Sequence, residues 1–227
     1  MRRRRLLLAA ASIAMLSGCS GSSPRGDLYN RPLAANPSAF VAAEIAFARL
    51  AQEKGQWTAF RETAADDAVM FVPQRVLAQS WLKGKADPAQ AVNWQPHAVY
   101  ISCDGNSGAT TGAWQNGAAF GYFTTVWRRD PRKGEMHWVL DHGADLTTPR
   151  EAPDFISTRQ AACGTRPAAA VTAAKEDEDM QVGLSDDQTL SWTSIVRPDG
   201  SRRVTVRMWD GDAMVPVIDD RVAAPAT

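Results

Sequence analysis

From Trp94 onward the apolar residues stop recurring every three or four positions and begin to alternate. Residues 94–102 (WQPHAVYIS), 109–115 (ATTGAWQ), 119–129 (AFGYFTTVWRR) and 136–145 (MHWVLDHGAD) each read as a strand. Turn chemistry separates them: a cluster over 104–108, the hairpin pair Asn116-Gly117, and Asp130-Pro131-Arg132-Lys133-Gly134. Connections this short join antiparallel neighbours, so the segment folds as a meander. Ahead of it the period is helical. Asn36 caps, Pro37 fits the first helical position, and Phe40, Ala43, Phe47, Leu50 and Ala51 form one apolar face that Gly55 ends. A second helix holds Trp57, Phe60, Arg61 and Ala64. A short strand over 68–72 stops at Pro73, and residues 78–83 add a helical turn or two. Helices followed by a meander define an α+β class.

After the meander the pattern weakens. Residues 149–187 carry Pro149 and Pro153, an Ala-rich run and the charged stretch Lys175-Glu176-Asp177-Glu178-Asp179, and read as a solvated linker. Nothing in the acidic run has EF-hand spacing with its Gly. Residues 188–197 and 202–209, around the turn Pro198-Asp199-Gly200-Ser201, then make a hairpin, with a shorter strand at 213–218. This small β module, 188–220, either extends the first sheet or packs over its open edge. There is no internal repeat.

The N-terminus is of another kind. Arg2 to Arg5 precede an apolar stretch, Leu6 to Leu16, too short to span a bilayer. The run Leu16-Ser17-Gly18-Cys19 resembles the bacterial lipobox. That resemblance implies a signal peptide over 1–18, a diacylated Cys19 as mature N-terminus, and attachment to the membrane through lipid. A plain signal peptide with an incidental Cys is the other reading. Ser20, rather than Asp, follows the Cys and points to the outer membrane, facing the periplasm. Residues 19–36, rich in Ser, Gly, Pro and Asn, read as a flexible tether.

Composition closes some options. The full chain has 25 basic and 25 acidic residues, and removal of 1–18 leaves 21 against 25, a net charge of −4. No basic stripe favours a nucleic acid. If Cys19 carries lipid, Cys103 and Cys163 remain in an oxidising compartment. A disulfide and two buried thiols both fit. There is no CxxC, HExxH, Walker A loop, GxSxG or GxGxxG after a strand, and no His/Cys cluster at zinc spacing, so neither metal nor cofactor is expected.

The order of residues then becomes informative. Glu44-x-x-Phe47-Ala48, Gly55, Ala59-Phe60 and Asp67-Ala68-Val69-Met70-Phe71-x-Pro73 are followed by Trp94-x-Pro96, Ser102-x-Asp104-Gly105, Thr111-Gly112-x-Trp114, Trp127-Arg128 and Trp138-x-x-x-Asp141. Together these resemble the NTF2-like superfamily, in its SnoaL-like or DUF4440-type branch, over residues 38–146. The resemblance implies a helix lying in a curved antiparallel sheet, an NTF2-like cone with a pocket inside, over 37–148. It also implies a homodimer formed through the sheet, unless the C-terminal module occupies that face. It implies no particular reaction. Six of the eight Trp lie in this portion, and either fill its core or wall a pocket. Trp81, His97, Trp114, Tyr122 and Trp138 are the candidate lining for a small apolar or aromatic ligand. Three readings stay open: a binder of such a ligand; an isomerase- or dehydratase-type enzyme using Asp141 or His142 as general base; and an envelope protein–protein interaction module. Glu44 stands at the edge of the helix's apolar face as a candidate base or a structural hydrogen-bond acceptor.

Overall fold

Helix α1 (Pro37–Lys54) begins where Asn36 accepts a hydrogen bond from the Ser38 amide at 3.0 Å, with Pro37 at the first turn. The computed structural model describes residues 35–165, 167, 175 and 177–225, so Cys19, the signal peptide and nearly all of the tether lie outside the described residues. α1 ends at Gly55, whose φ of 106° a side chain would oppose. Helix α2 (Gln56–Thr63) starts at once, without a side-chain cap of its own. Asp87, far along the chain, supplies one by accepting from the Thr58 amide at 2.9 Å and the Thr58 hydroxyl at 2.6 Å.

The remaining elements are β1 (Ala64–Phe71), β2 (Arg75–Leu77), α3 (Ala78–Leu82), β3 (Asn93–Ile101), β4 (Ser107–Asn116), β5 (Ala119–Arg129), β6 (Met136–Asp145), β7 (Ser157–Gln160), β8 (Asp179–Leu184), β9 (Leu190–Val196), β10 (Arg202–Trp209) and β11 (Met214–Val222). Seven strands form one sheet in the order β2-β1-β6-β5-β4-β3-β7, and four form a second, β11-β10-β9-β8. The meander β3 to β6 runs antiparallel as its turns dictate. At its flanks the pairing changes, because β1 joins β6 in parallel and β7 joins β3 in parallel.

Three expectations need correction. The sheet is not wholly antiparallel, and the C-terminal portion is a four-stranded sheet rather than a hairpin with a short addition. The stretch 149–187 also holds two strands, β7 and β8. Both are edge strands; β7 has four exposed residues in a row and no apolar alternation, whereas β8 alternates at Met180, Val182 and Leu184 beside the charged run that marks the stretch as solvated. Cys103 and Cys163 are joined by a disulfide, with Cα atoms 5.2 Å apart, which ties the chain after β7 to the end of β3.

The seven-stranded sheet is covered on both faces. Residues alternate along β5, and Thr125 and Trp127 face α1 while Tyr122 and Thr124 face the second sheet. On the helical side Phe47 of α1 is the hub, with the rings of Phe60, Trp94, Trp127 and Trp138 centred 4.8–6.5 Å away. On the other side the sheets are joined by polar contacts. Thr124 donates to Asp220 at 2.7 Å, the Cys103 amide to Thr189 at 2.8 Å and the Asp104 amide to Asp187 at 2.7 Å. Arg75 on β2 donates to the Ser194 hydroxyl at 2.8 Å and pairs with Asp179.

Candidate functional site

Between α2 and the ends of β1, β3, β4, β5 and β6 lies a cavity of about 310 Å³. Its walls are mostly rings. α2 brings Trp57 and Phe60, β3 Trp94, β4 Trp114, β5 Phe123, and β1 ends there with Phe71. Trp114 lies across Gly121 on the paired strand, where a Cβ atom would overlap both the Trp114 ring and the Ala144 carbonyl. A glycine at 121 is therefore a condition for the wall that Trp114 forms.

Asp141 on β6 is the ionisable group set into this apolar wall. It is partly accessible and accepts a hydrogen bond from the Thr125 hydroxyl at 3.1 Å. Burial, reinforced by the negative charge of Glu44, pushes its pKa up to about 7 against the bond from Thr125. Its side chain exchanges a proton near neutrality, as a general acid or base in an apolar site must.

Glu44 stands behind the cavity, fully buried on α1. Trp94 Nε1 donates to its Oε1 at 2.6 Å. The Thr110 hydroxyl and Trp127 Nε1 donate to its Oε2 at 2.5 and 3.0 Å. Burial raises its pKa above the usual carboxylate range, and these donors act in the opposite direction. Glu44 thus fixes Trp94, a wall of the cavity, and places a second carboxyl group in the same desolvated region.

The other residues singled out from sequence are dispersed. Trp138 is wholly buried between Phe47 and Phe60, with its indole donating to Thr63 at 2.9 Å, and belongs to the packed core. Trp81 packs edge-on against Trp57 at 5.1 Å, beneath Lys85. His97 borders a different cavity of about 450 Å³, between the outer side of α1 and residues 152–156, and its pKa is lowered by burial and by Arg150. Tyr122 faces the second sheet, where burial pushes its phenol up to about 12. Only Trp114 of those five lines the aromatic cavity.

His142 sits at the cavity's edge, but its ring turns the opposite way from Asp141, as neighbouring residues on a strand must. Its Nε2 accepts from Arg202 Nε at 3.2 Å, Nδ1 lies 3.7 Å from Asp220, and Phe71 packs edge-on at 5.0 Å. Burial lowers its pKa, so it is neutral between the two sheets rather than a base in the cavity. Trp57 and Trp94 are among the six Trp that could fill the core or wall a pocket, and they do line it; Phe60, Phe71 and Phe123 are the lining rings that the sequence pattern did not single out for it.

Asp141 also sets a pH dependence of stability. Its pKa is higher in the folded than in the unfolded chain, so the folded state holds more protons between about pH 4 and 7. That stabilisation is complete in acid and is lost as the pH rises through 7. The unfolding temperature should fall by roughly 5 °C between pH 5 and pH 8, and Asp141→Asn should flatten most of that slope. Thermal scans across this range would expose an unchanged slope in the variant, which would remove Asp141 from the account.

No family model matches the chain, and no curated protein matches it. Solved structures similar to it include an NTF2-like protein of unknown function from Shewanella oneidensis MR-1, with 11% identity, covering 48% of this chain and 98% of that one at a TM-score of 0.38. An NTF2-like protein of unknown function from Pseudomonas putida KT2440 has 14% identity, covering 52% and 94%, at 0.34. A cystatin-like fold protein from Burkholderia xenovorans LB400 has 12% identity, covering 49% and 92%, at 0.39. The chain is thus similar, over about half of its length, to solved NTF2-like proteins.

Proposed function

We propose that the aromatic cavity is a binding chamber for one small, largely apolar molecule, carried by a protein that Cys19 anchors by lipid to the envelope, facing the periplasm. The observation that carries the binding half is the cavity itself: rings on most sides and a carboxyl group, Asp141, set among them to orient a ligand. The apolar dye N-phenyl-1-naphthylamine should gain fluorescence with the wild-type chain. Trp114→Ala, which removes a wall that no ring contact ties to Phe47 itself, should weaken binding about ten-fold, on the scale of one large lost aromatic contact. Dye that binds both proteins alike would place its site elsewhere.

The neutral-range titration of Asp141 favours a second reading of the same chamber, in which Asp141 moves a proton on the bound molecule. The anchor has its support in the run Leu16-Ser17-Gly18-Cys19 alone. Cys19→Ser should move the protein from the membrane fraction to the soluble fraction, and a variant that stays with membranes would end that part of the proposal.

A further inference from the structure

The two carboxyl groups near the cavity have no counter-ion of their own among the described residues. Glu44 is held by two indoles and a hydroxyl, and Asp141 by one hydroxyl. The cations of the neighbourhood are engaged elsewhere. Arg61 donates to the Leu82 and Lys85 carbonyls, and Lys85 lies over Trp81. Arg150 bonds Thr111 and the Gly112 carbonyl, and Arg202 bonds His142 and the Gly143 carbonyl on the far face of the sheet. Among the described residues no Lys or Arg lines the cavity, and its rim carries another acid, Asp145.

A carboxyl group kept from water without a counter-ion is costly, and here the cost shows as a proton held on Asp141 up to neutrality. An anionic ligand would deepen that cost. A neutral one would strip water from Asp141 and give nothing in return. A cation would supply the missing charge, and the ring walls suit it further, because aromatic rings attract cations to their faces.

We infer that the ligand of this chamber is a small organic cation, a quaternary or protonated amine bearing an apolar or aromatic group, lodged among Trp57, Trp94 and Trp114 with its charge toward Asp141. The inference rests on the cavity being the binding chamber proposed above. It predicts that affinity follows the ionisation of Asp141. The titratable groups on that side are Glu44 from α1 and Asp145 at the rim of β6, with His142 at the cavity's edge, its ring nitrogens turned to Arg202 and Asp220 on the other face. From β1, β4, β5, α2 and β3 come Met70, Trp114, Thr125, Phe60 and Trp94, none of which titrates near neutrality.

The test compares benzyltrimethylammonium with its neutral carbon isostere, neopentylbenzene, by quenching of tryptophan fluorescence in the full chain. At pH 8 the cation should bind at least about ten-fold more tightly than the isostere, and should lose about ten-fold in affinity by pH 5.5 while the isostere changes little. Asp141→Asn should bring the cation's affinity down to that of the isostere. The pH series on the wild-type chain decides the matter even if that variant does not fold. Equal binding of the two probes, or tighter binding of the isostere, would overturn the choice of a cation and leave the chamber standing. Binding of neither would remove the chamber, and this inference with it.

Discussion

Glu44→Leu should cost the fold about 4 kcal/mol, and more if the surroundings do not close in. The loss is not chiefly that of a charge, since replacing a buried carboxylate by an apolar side chain can be neutral when its partners go too. Here the partners stay. Trp94 Nε1, Trp127 Nε1 and the Thr110 hydroxyl all donate to Glu44, and each buried donor left without an acceptor costs about 1–3 kcal/mol. Thr110 and Trp127 retain one alternative, their own contact at 3.0 Å, and Thr110 also reaches the Thr125 carbonyl at 3.3 Å, which moderates the sum. Glu44→Gln keeps an acceptor oxygen but turns an NH₂ group toward at least one donor, so it should cost about half as much. Adding Thr110→Val to Glu44→Leu removes the acceptor that Trp127 Nε1 has left and should cost about 1 kcal/mol more. Urea unfolding of the four proteins reads all of this. A Glu44→Leu chain as stable as the wild type would mean that the two indoles find other acceptors.

Breaking the Cys103–Cys163 disulfide should cost a comparable amount. It closes a loop with a sequence separation of 60, and the chain-entropy model assigns such a loop about 4 kcal/mol. The damage should also be local. β7 pairs with the sheet through β3 alone, with all four residues exposed, so the cross-link is a principal restraint on its return to the sheet edge. The neighbouring amides of Cys103 and Asp104 are bonded to Thr189 and Asp187 of the second sheet, so the same corner joins three parts of the chain. With Cys103→Ser, or with wild type in reductant, amide exchange should accelerate first at residues 157–160 and then around 185–190. A reduced protein whose midpoint and exchange pattern match the oxidised form would show that packing holds this corner unaided.

Much of the meander was legible because its two periods, alternation and turn, agree. The strands 119–129, 136–145 and 202–209 have the bounds that the sequence pattern gives them. Parallel pairing was not legible. Nothing in Ala64–Phe71 says that its partner is Met136–Asp145, because that choice depends on how the chain crosses the sheet. The site was read less well. Trp138 and Asp141 are three apart, which by strict alternation puts them on opposite faces. Both face the helices because the β5–β6 register shifts at Trp127, and such a bulge leaves no mark in the apolar pattern. Glu44 did leave one. Phe40, Glu44, Phe47 and Ala51 recur at spacings of four, three and four, and all are buried, so a carboxylate lay in register within the buried stripe of a helix.

The second sheet has a consequence for how the first one is kept covered. A sheet with an apolar face left open associates with whatever closes it, and that closure weakens on dilution when it comes from another molecule. Here the cover is β9 to β11 of the same polypeptide, fastened through Thr124 to Asp220 and Arg202 to Gly143. Its local concentration is set by the length of chain between the sheets and not by how many copies the cell makes. A scarce copy is shielded on that face as fully as an abundant one.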